Sequence, residues 1–190
     1  MKKLLLYLKE NYKSLLLNIL FSVLLILSVN ILCRYINYPI ISLFNDSDAI
    51  IHSNREYYGI FESIMIFCLI PAIVEEFIFR NFLLNKLSKK TSLKTAVIIT
   101  SLIFSLLHLD ILNFIPQFVF AIILCVIIIS TRNICLPIIA HFVNNLFILF
   151  LDTQISTFIS EHIFLSFILS FVVATIGVVY FKKKTSRREI

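Results

Sequence analysis

Long apolar segments dominate this 190-residue chain and constrain its fold more than any other feature. Six such segments, separated by shorter polar stretches, cover residues 15–33, 57–84, 93–108, 114–130, 135–151 and 163–181. A helix needs about 17–25 predominantly apolar residues to cross a bilayer, and only the third segment is short for this task. Hydrophobic residues make up 59% of the chain, far more than in a soluble domain. The sequence predicts an all-α, polytopic membrane helix bundle with about six transmembrane helices, forming a single membrane domain over residues 1–190.

The distribution of positive charge predicts the orientation of these helices. If the N-terminus is cytoplasmic and the segments alternate in direction, all of the 17 Lys and Arg residues except Arg34 and Arg55 fall on the cytoplasmic side. This asymmetry is the positive-inside pattern, and it places both termini in the cytoplasm. It also explains the net charge of +6 by membrane orientation, without nucleic acid as a partner. We expect a multi-pass integral membrane protein, and the Ile-, Lys- and Asn-rich composition favours a bacterial cell membrane.

Three further features of the sequence bear on the fold. The apolar run over residues 15–32 is longer than a usual signal-peptide core and no small-x-small site follows it, which favours a retained first helix. The longest connection, residues 34–56, leaves open whether it holds a surface helix or a lid.

Four cysteines lie in or beside apolar segments without metal-ligand spacing, so we expect small buried side chains and no disulfide framework. These cysteines are Cys33, Cys68, Cys125 and Cys135.

Three charged residues, Glu75, Glu76 and Arg80, interrupt the second apolar segment. A charged side chain at the centre of a spanning helix costs roughly 2.5–3.5 kcal/mol on insertion scales, so these groups should face a protein interior or a wet cavity. Glu76 and Arg80 are four residues apart and can neutralise each other on one helix face. Glu75 lies about 100° around the helix from Glu76 and has no local cation. The spacing therefore identifies Glu75 as a candidate general base.

Histidine and asparagine side chains interrupt two other apolar segments. His108 ends the third segment, and His141 and Asn145 share one face of the fifth. Taken singly, each of these residues can equally serve a helix–helix hydrogen bond. If His108 approaches Glu75, however, the two can hold a water molecule, and His141 with Asn145 can donate hydrogen bonds to an oxyanion. Polar groups on three separate segments therefore favour a shared site for hydrolysis of an amide.

In this order, the polar clusters resemble the motifs of the CAAX protease and bacteriocin-processing family of intramembrane glutamic endopeptidases. The motifs E-E-x-x-x-R, F-x-x-x-H and H-x-x-x-N are matched by Glu75, Glu76 and Arg80, by Phe104 and His108, and by His141 and Asn145. The resemblance covers residues 71–151, which we interpret as the catalytic core. A glycine commonly follows the motif arginine in this family, whereas this chain has Asn81.

The resemblance implies a metal-independent endopeptidase with no cofactor. It implies that Glu75 and His108 activate water, that His141 and Asn145 form the oxyanion site, and that Arg80 supports Glu76. The implied partners are the lipid bilayer and a peptide or protein substrate, such as a prenylated protein or a bacteriocin-type peptide. Three alternatives stay open from the residues: a zinc enzyme built on the same carboxylates and imidazoles, a non-enzymatic bacteriocin-immunity or scaffold protein, and a small-molecule transporter. The substrate, its side of entry and the oligomeric state are left open.

A shared site makes a geometric demand on the third apolar segment. At 1.5 Å per residue, His108 lies about 21 Å from Leu93 along the helix, whereas Asn145 lies about 15 Å from Cys135. The third helix must therefore tilt, or begin outside the hydrocarbon. The segment that follows His108 would then enter a cavity covered by protein.

Overall fold

The computed structural model describes the backbone of residues 2–41 and 58–186, and the side chains in these ranges except those of residues 2–11, 36–41, 152–156 and 160. These residues form helices joined by short connections, and no strand occurs among them. The helices are α1 (Lys2–Ile41), α2 (Ile60–Ser63, Ile64–Leu69, Ile70–Glu76, Phe77–Leu84 and Asn85–Ser88 in succession), α3 (Leu93–Leu107), α4 (Phe114–Thr131), α5 (Cys135–Glu161) and α6 (Ile163–Ser186). The predicted all-α membrane helix bundle is confirmed.

Among the described residues, three helices are long and apolar enough to cross a membrane by length and composition. These stretches are Tyr12–Tyr35 in α1, Phe114–Thr131 in α4 and Ile163–Ser186 in α6. The apolar stretches Leu93–Leu107, which is all of α3, and Cys135–Leu151, the first part of α5, are shorter. The prediction of six membrane crossings therefore stays a prediction, whereas the assignment of the chain to integral membrane proteins is supported.

The first helix differs from its predicted length. We expected a connection to begin at Arg34, but the helix continues to Ile41. Its sequence between these residues contains a single proline, Pro39, in the last turn. The predicted surface helix or lid falls on residues 42–57, which lie outside the described residues.

Helix α2, which carries the charged cluster, is irregular. Two stretches, Ile64–Leu69 and Phe77–Leu84, are π-helical, and Pro71 lies in the α-helical segment between them. Proline lacks a backbone N–H and its ring clashes with the carbonyl four residues earlier, so the preceding turn widens. Widened turns are frequent at functional sites. This irregular helix presents the charges of residues 75–80 to the rest of the bundle.

The largest apolar core lies where α1, α4, α5 and α6 meet. Its buried members include Leu25, Leu124, Leu136 and Phe181. Helix α6 approaches α1 closely at Gly177, where an added Cβ would lie 3.0 Å from the Cβ of Leu25. Small residues at such contacts allow membrane helices to pack tightly. This core fixes α4 and α5, which together with α3 pack against the charged part of α2.

The cysteine prediction is partly wrong. All four cysteines are free, and Cys33, Cys68 and Cys125 are buried as expected. Cys135 is exposed, because it lies at the first residue of α5 rather than inside the bundle.

Candidate active site

Glu76 and Arg80 form a fully buried ion pair in α2. The Arg80 Nη1 atom donates to Glu76 Oε1 over 2.9 Å, and both side chains have 0% exposure. The Nη2 atom of Arg80 donates to the backbone oxygen of Ala121 in α4 at 3.2 Å. The guanidinium carbon also lies 4.8 Å from the centre of the Phe104 ring in α3. Arg80 thereby joins three helices beneath the site, and its charge is balanced by Glu76 as its spacing predicts.

His141 connects this ion pair to the neighbouring carboxylate. Its Nδ1 atom lies 2.8 Å from Glu76 Oε1, and its Nε2 atom lies 3.9 Å from Glu75 Oε2. The imidazole is almost fully buried, and the Phe120 ring packs against it edge-on at 5.0 Å between centroids. A buried carboxylate oxygen accepts hydrogen bonds, so Nδ1 is the donor in this contact. The sequence predicted a pairing of Glu76 with Arg80 and gave no sign that His141 shares the same oxygen.

His108 approaches Glu75 from the opposite helix. It follows the last residue of α3, and its Nδ1 atom lies 2.8 Å from the Phe104 backbone oxygen one turn earlier. Its Nε2 atom lies 3.9 Å from Glu75 Oε2. The side chains of His108 and Glu75 are 33% and 26% exposed, whereas the Glu75 Oε2 atom that faces His108 is buried. The two side chains thus meet within the distance that a shared site requires.

The hydrogen bonds orient both imidazoles in the same way. Each Nδ1 donates to an oxygen that can only accept, the Phe104 carbonyl for His108 and the Glu76 carboxylate for His141. The neutral tautomer of each ring therefore carries its proton on Nδ1 and leaves Nε2 as an acceptor. Both Nε2 atoms face Glu75 Oε2, which is buried without a hydrogen-bond partner among the described residues. The site thus places one carboxylate oxygen and two ring nitrogens around a common space.

Asn145 and its neighbour Asn144 have different surroundings. Asn145 lies one turn beyond His141 on α5 and is partly exposed. Within the described part of the chain, its amide makes no hydrogen bond to the five other predicted site residues. Asn144 is buried and faces away, because its Oδ1 atom accepts a 3.0 Å hydrogen bond from Asn30 Nδ2 in α1. The structure thus brings five of the six predicted residues into contact and leaves the Asn145 amide free for another partner.

Several residues around this cluster were not identified from the sequence. The Phe120 ring and the Ala121 carbonyl contact His141 and Arg80, and apolar residues in an apolar helix give no sign of such a position. Gln117 lies one turn before Ala121 on α4, and its Oε1 atom is buried without a hydrogen-bond partner. An amide inside an apolar helix was the available signal for Gln117. Asn30 in α1 gave the same signal.

The donor set was also considered as a metal site. Within the described ranges, no group of three or more His, Cys, Asp or Glu side chains is arranged to hold a metal ion. Independence from metal stays a prediction for the chain.

Residues 59–147 match the family model described as type II CAAX prenyl endopeptidase Rce1-like. Over these 89 of the 190 residues, the chain matches the CAAX protease family. The matched segment includes every residue of the three motifs, from Glu75 to Asn145, and the family predicted from these motifs is confirmed. Searches of curated proteins and of solved structures found no match. The CAAX protease family points to a protease that acts on a peptide or protein at the membrane.

Proposed function

We propose that the protein is an intramembrane endopeptidase in which Glu75 and His108 activate a water molecule. The observation that carries this proposal is the position of Glu75 Oε2, which lies 3.9 Å from Nε2 of both His108 and His141. Two acceptor atoms at this separation can share one water at hydrogen-bonding distance from each. Glu75 and His108 are also partly exposed, so the water can be replaced after each turnover.

The reaction proceeds in two stages. Glu75 takes a proton from the water, and the oxygen of the water attacks the carbonyl carbon of the scissile peptide bond. This step gives a tetrahedral intermediate with a negative oxygen. The carbon–nitrogen bond then breaks, and the proton passes from Glu75 to the leaving nitrogen. The products are a carboxylic acid and an amine, and Glu75 returns to its ionised form.

The oxyanion needs hydrogen-bond donors that are already in position. The Asn145 amide offers two N–H groups on the same helix face as His141, and His141 Nε2 donates when it carries a proton. Glu76 and Arg80 act as positioning residues. Glu76 holds the His141 ring through Nδ1, and Arg80 neutralises Glu76 inside the bundle.

The family match supports a substrate class for this proposal. Members described as CAAX prenyl endopeptidases suggest a prenylated peptide, and we propose cleavage of such a peptide or of a bacteriocin-type peptide near the membrane surface. The same family resemblance admits a non-enzymatic immunity or scaffold protein, in which the cluster serves only to stabilise the bundle. The partial exposure of Glu75 and the absence of a cation beside it among the described residues favour the enzyme, because a purely structural carboxylate would be paired as Glu76 is with Arg80.

The decisive experiment compares the wild type with Glu75→Gln on a quenched peptide library that includes prenylated peptides. The substitution keeps the size of the side chain and removes the base, so we expect cleavage to fall by about 10²–10⁴-fold, the usual contribution of a general base. The thermal midpoint of the variant in detergent should stay close to that of the wild type, because the Glu75 oxygen has no partner to lose.

A chelator arm tests the role of metal in the same assay. We expect unchanged cleavage after treatment with EDTA or 1,10-phenanthroline, and activity that is lost with chelator and restored with zinc would support the zinc alternative.

Lys90→Gln, in the exposed turn between α2 and α3, is a matched control for the removal of a surface charge. Equal cleavage by the wild type and Glu75→Gln, or no cleavage by a folded wild type, would overturn the proposal in favour of a binding protein.

A further inference from the structure

A network of polar side chains joins α1 to α5 next to the candidate active site. Arg34 Nε donates to Asn30 Oδ1 over 3.2 Å, and Asn30 Nδ2 donates to Asn144 Oδ1 over 3.0 Å. Asn144 is 4% exposed, and it directly precedes Asn145 in the sequence. This α1–α5 network of Arg34, Asn30 and Asn144 therefore ends one residue away from the amide that can donate to the oxyanion.

The guanidinium of Arg34 fixes the direction of each hydrogen bond in the network. Arginine only donates, so the Asn30 atom that faces it must be the amide oxygen. The amide nitrogen of Asn30 then faces Asn144, which must turn its own oxygen toward α1. The network therefore allows one orientation for each of the two amide groups, and α1 and α5 are joined through a specific donor and a specific acceptor.

The same contact restricts the rotation of α5. The Asn144 oxygen stays within hydrogen-bond distance of Asn30 over only a narrow range of helix rotation. His141 lies three residues earlier, about 60° away around the helix, and its Nδ1 atom lies 2.8 Å from Glu76 Oε1. Helix α5 is thus held to α1 through one residue and to α2 through another. Together these contacts fix the direction in which Asn145 leaves the helix.

Asn145 has no such contact of its own. Its side chain is partly exposed, and its amide makes no hydrogen bond to another residue in the described part of the chain. A donor to an oxyanion is effective only when it is in position before the reaction begins. The position of this amide therefore depends on the rotation of α5.

The α1 side of the network lies outside the part of the chain that matches the CAAX protease family. The match begins at residue 59, whereas Asn30 and Arg34 belong to α1. The three motifs lie on α2, α3 and α5 and include no residue of α1. A role of α1 in the site is thus a property of this chain that the motifs do not contain.

We propose that Asn30, oriented by Arg34, is a positioning residue that holds α5 at the rotation which presents the Asn145 amide to the oxyanion. This inference rests on the proposed function, because it concerns a donor in the same reaction. It predicts that a substitution in α1 lowers the rate of cleavage through Asn145.

A second asparagine of α1 provides a matched control. Asn18 is buried, and its Oδ1 atom accepts hydrogen bonds from Tyr180 and Lys184 of α6 over 2.8 and 2.6 Å. It lies about 18 Å from Asn30 along the helix. Asn18→Leu and Asn30→Leu therefore remove the same amide from the same helix, but only the second substitution releases α5.

The kinetic test measures kcat and KM for both variants with a peptide that the wild type cleaves. We expect Asn30→Leu to lower kcat by about 10²-fold, the effect of a small misplacement of a catalytic group, with little change in KM. In an Asn145→Ala background the same substitution should cause no further loss, because Asn30 acts through that amide. Asn18→Leu should leave kcat unchanged.

Asn30→Asp repeats this test with almost no change in shape. The carboxylate still accepts from Arg34, but it places an acceptor against the Asn144 oxygen in place of the donor. We expect the same loss of kcat as for Asn30→Leu. The thermal midpoint of each variant in detergent shows that the protein measured is folded.

A nitroxide label at position 145 tests the placement without any peptidase activity. The label is attached to Asn145→Cys of the full chain in phosphatidylcholine vesicles, in a Cys135→Ser background that removes the exposed cysteine of the four. We expect Asn30→Leu and Asn30→Asp to change the line shape of the label and its collision rate with a water-soluble nickel chelate. Asn18→Leu should change neither.

The outcomes separate this inference from the proposed function. A label that responds equally to Asn18→Leu and Asn30→Leu, or to neither, would overturn the inference. So would a wild-type kcat in Asn30→Leu, or a loss that adds to that of Asn145→Ala, even while Glu75→Gln stays inactive. A label that responds only to the Asn30 variants, in a folded wild type that cleaves no peptide, would support the placement by α1 and overturn the proposed function.

Discussion

Glu75 and Glu76 are adjacent in the sequence but have opposite roles in the structure. Glu76 is fully buried and its Oε1 atom is shared by Arg80 and His141. Glu75 is 26% exposed, and its Oε2 atom faces two imidazole nitrogens without a hydrogen bond. Neighbouring residues on a helix point about 100° apart. One carboxylate can therefore point into the packed interior while the next points toward a partly exposed space.

The buried ion pair gives a prediction at the scale of single residues. Glu76→Gln removes the negative charge and leaves the buried Arg80 guanidinium uncompensated, so we expect the free energy of unfolding to fall by about 3–5 kcal/mol. The thermal midpoint in detergent measures this loss, and Glu75→Gln provides the comparison at the adjacent position.

A double variant separates this electrostatic effect from general damage. Glu76→Gln combined with Arg80→Met removes both charges and keeps an apolar side chain in place of the guanidinium, so much of the stability should return. If Glu76→Gln alone unfolds at the temperature of the wild type, the buried charge pair does not stabilise the bundle as described.

At the scale of elements, the contact between α1 and α6 depends on a small residue. An added Cβ at Gly177 would lie 3.0 Å from Cβ and 3.1 Å from Cδ1 of Leu25, which leaves no room for a branched side chain. Gly177→Val should therefore separate the helices and destabilise the fold by about 1–3 kcal/mol, the usual cost of overpacking. Thermal unfolding in detergent is the measurement.

Two further variants make this packing argument specific. Val179→Leu enlarges an exposed side chain on the same helix and should leave the midpoint unchanged. Gly177→Val with Leu25→Ala creates space on the facing helix and should recover part of the lost stability. Equal destabilisation by the single and double variants would mean that Leu25 does not limit the approach of α6.

At the scale of the whole molecule, the positive-inside pattern predicts six crossings with both termini in the cytoplasm. Fusions of a cytoplasmic fluorescent reporter or a periplasmic phosphatase after Lys90, Arg132 and Ser186 should report the cytoplasm. A fusion after Glu161 should report the opposite side. A cytoplasmic signal after Glu161 would contradict the alternation between α5 and α6 and would require fewer crossings.

The sequence by itself determined the class of fold, the identity of the polar cluster and the family. Long apolar segments require helices in a bilayer, because backbone groups there must be paired within each segment. Spacing of four residues was enough to pair Glu76 with Arg80 and to place His141 and Asn145 on one face. These inferences are local, and local geometry follows directly from the periodicity of a helix.

Contacts between distant segments were decided by the tertiary structure alone. The link from His141 to Glu76, the bond from Arg80 to the Ala121 carbonyl and the pairing of Asn144 with Asn30 join different helices. So does the approach of His108 Nε2 to Glu75, which requires α3 to end beside the irregular part of α2. Periodicity gives the face on which a side chain lies but not the helix that it meets, because that partner is set by how all the helices pack together.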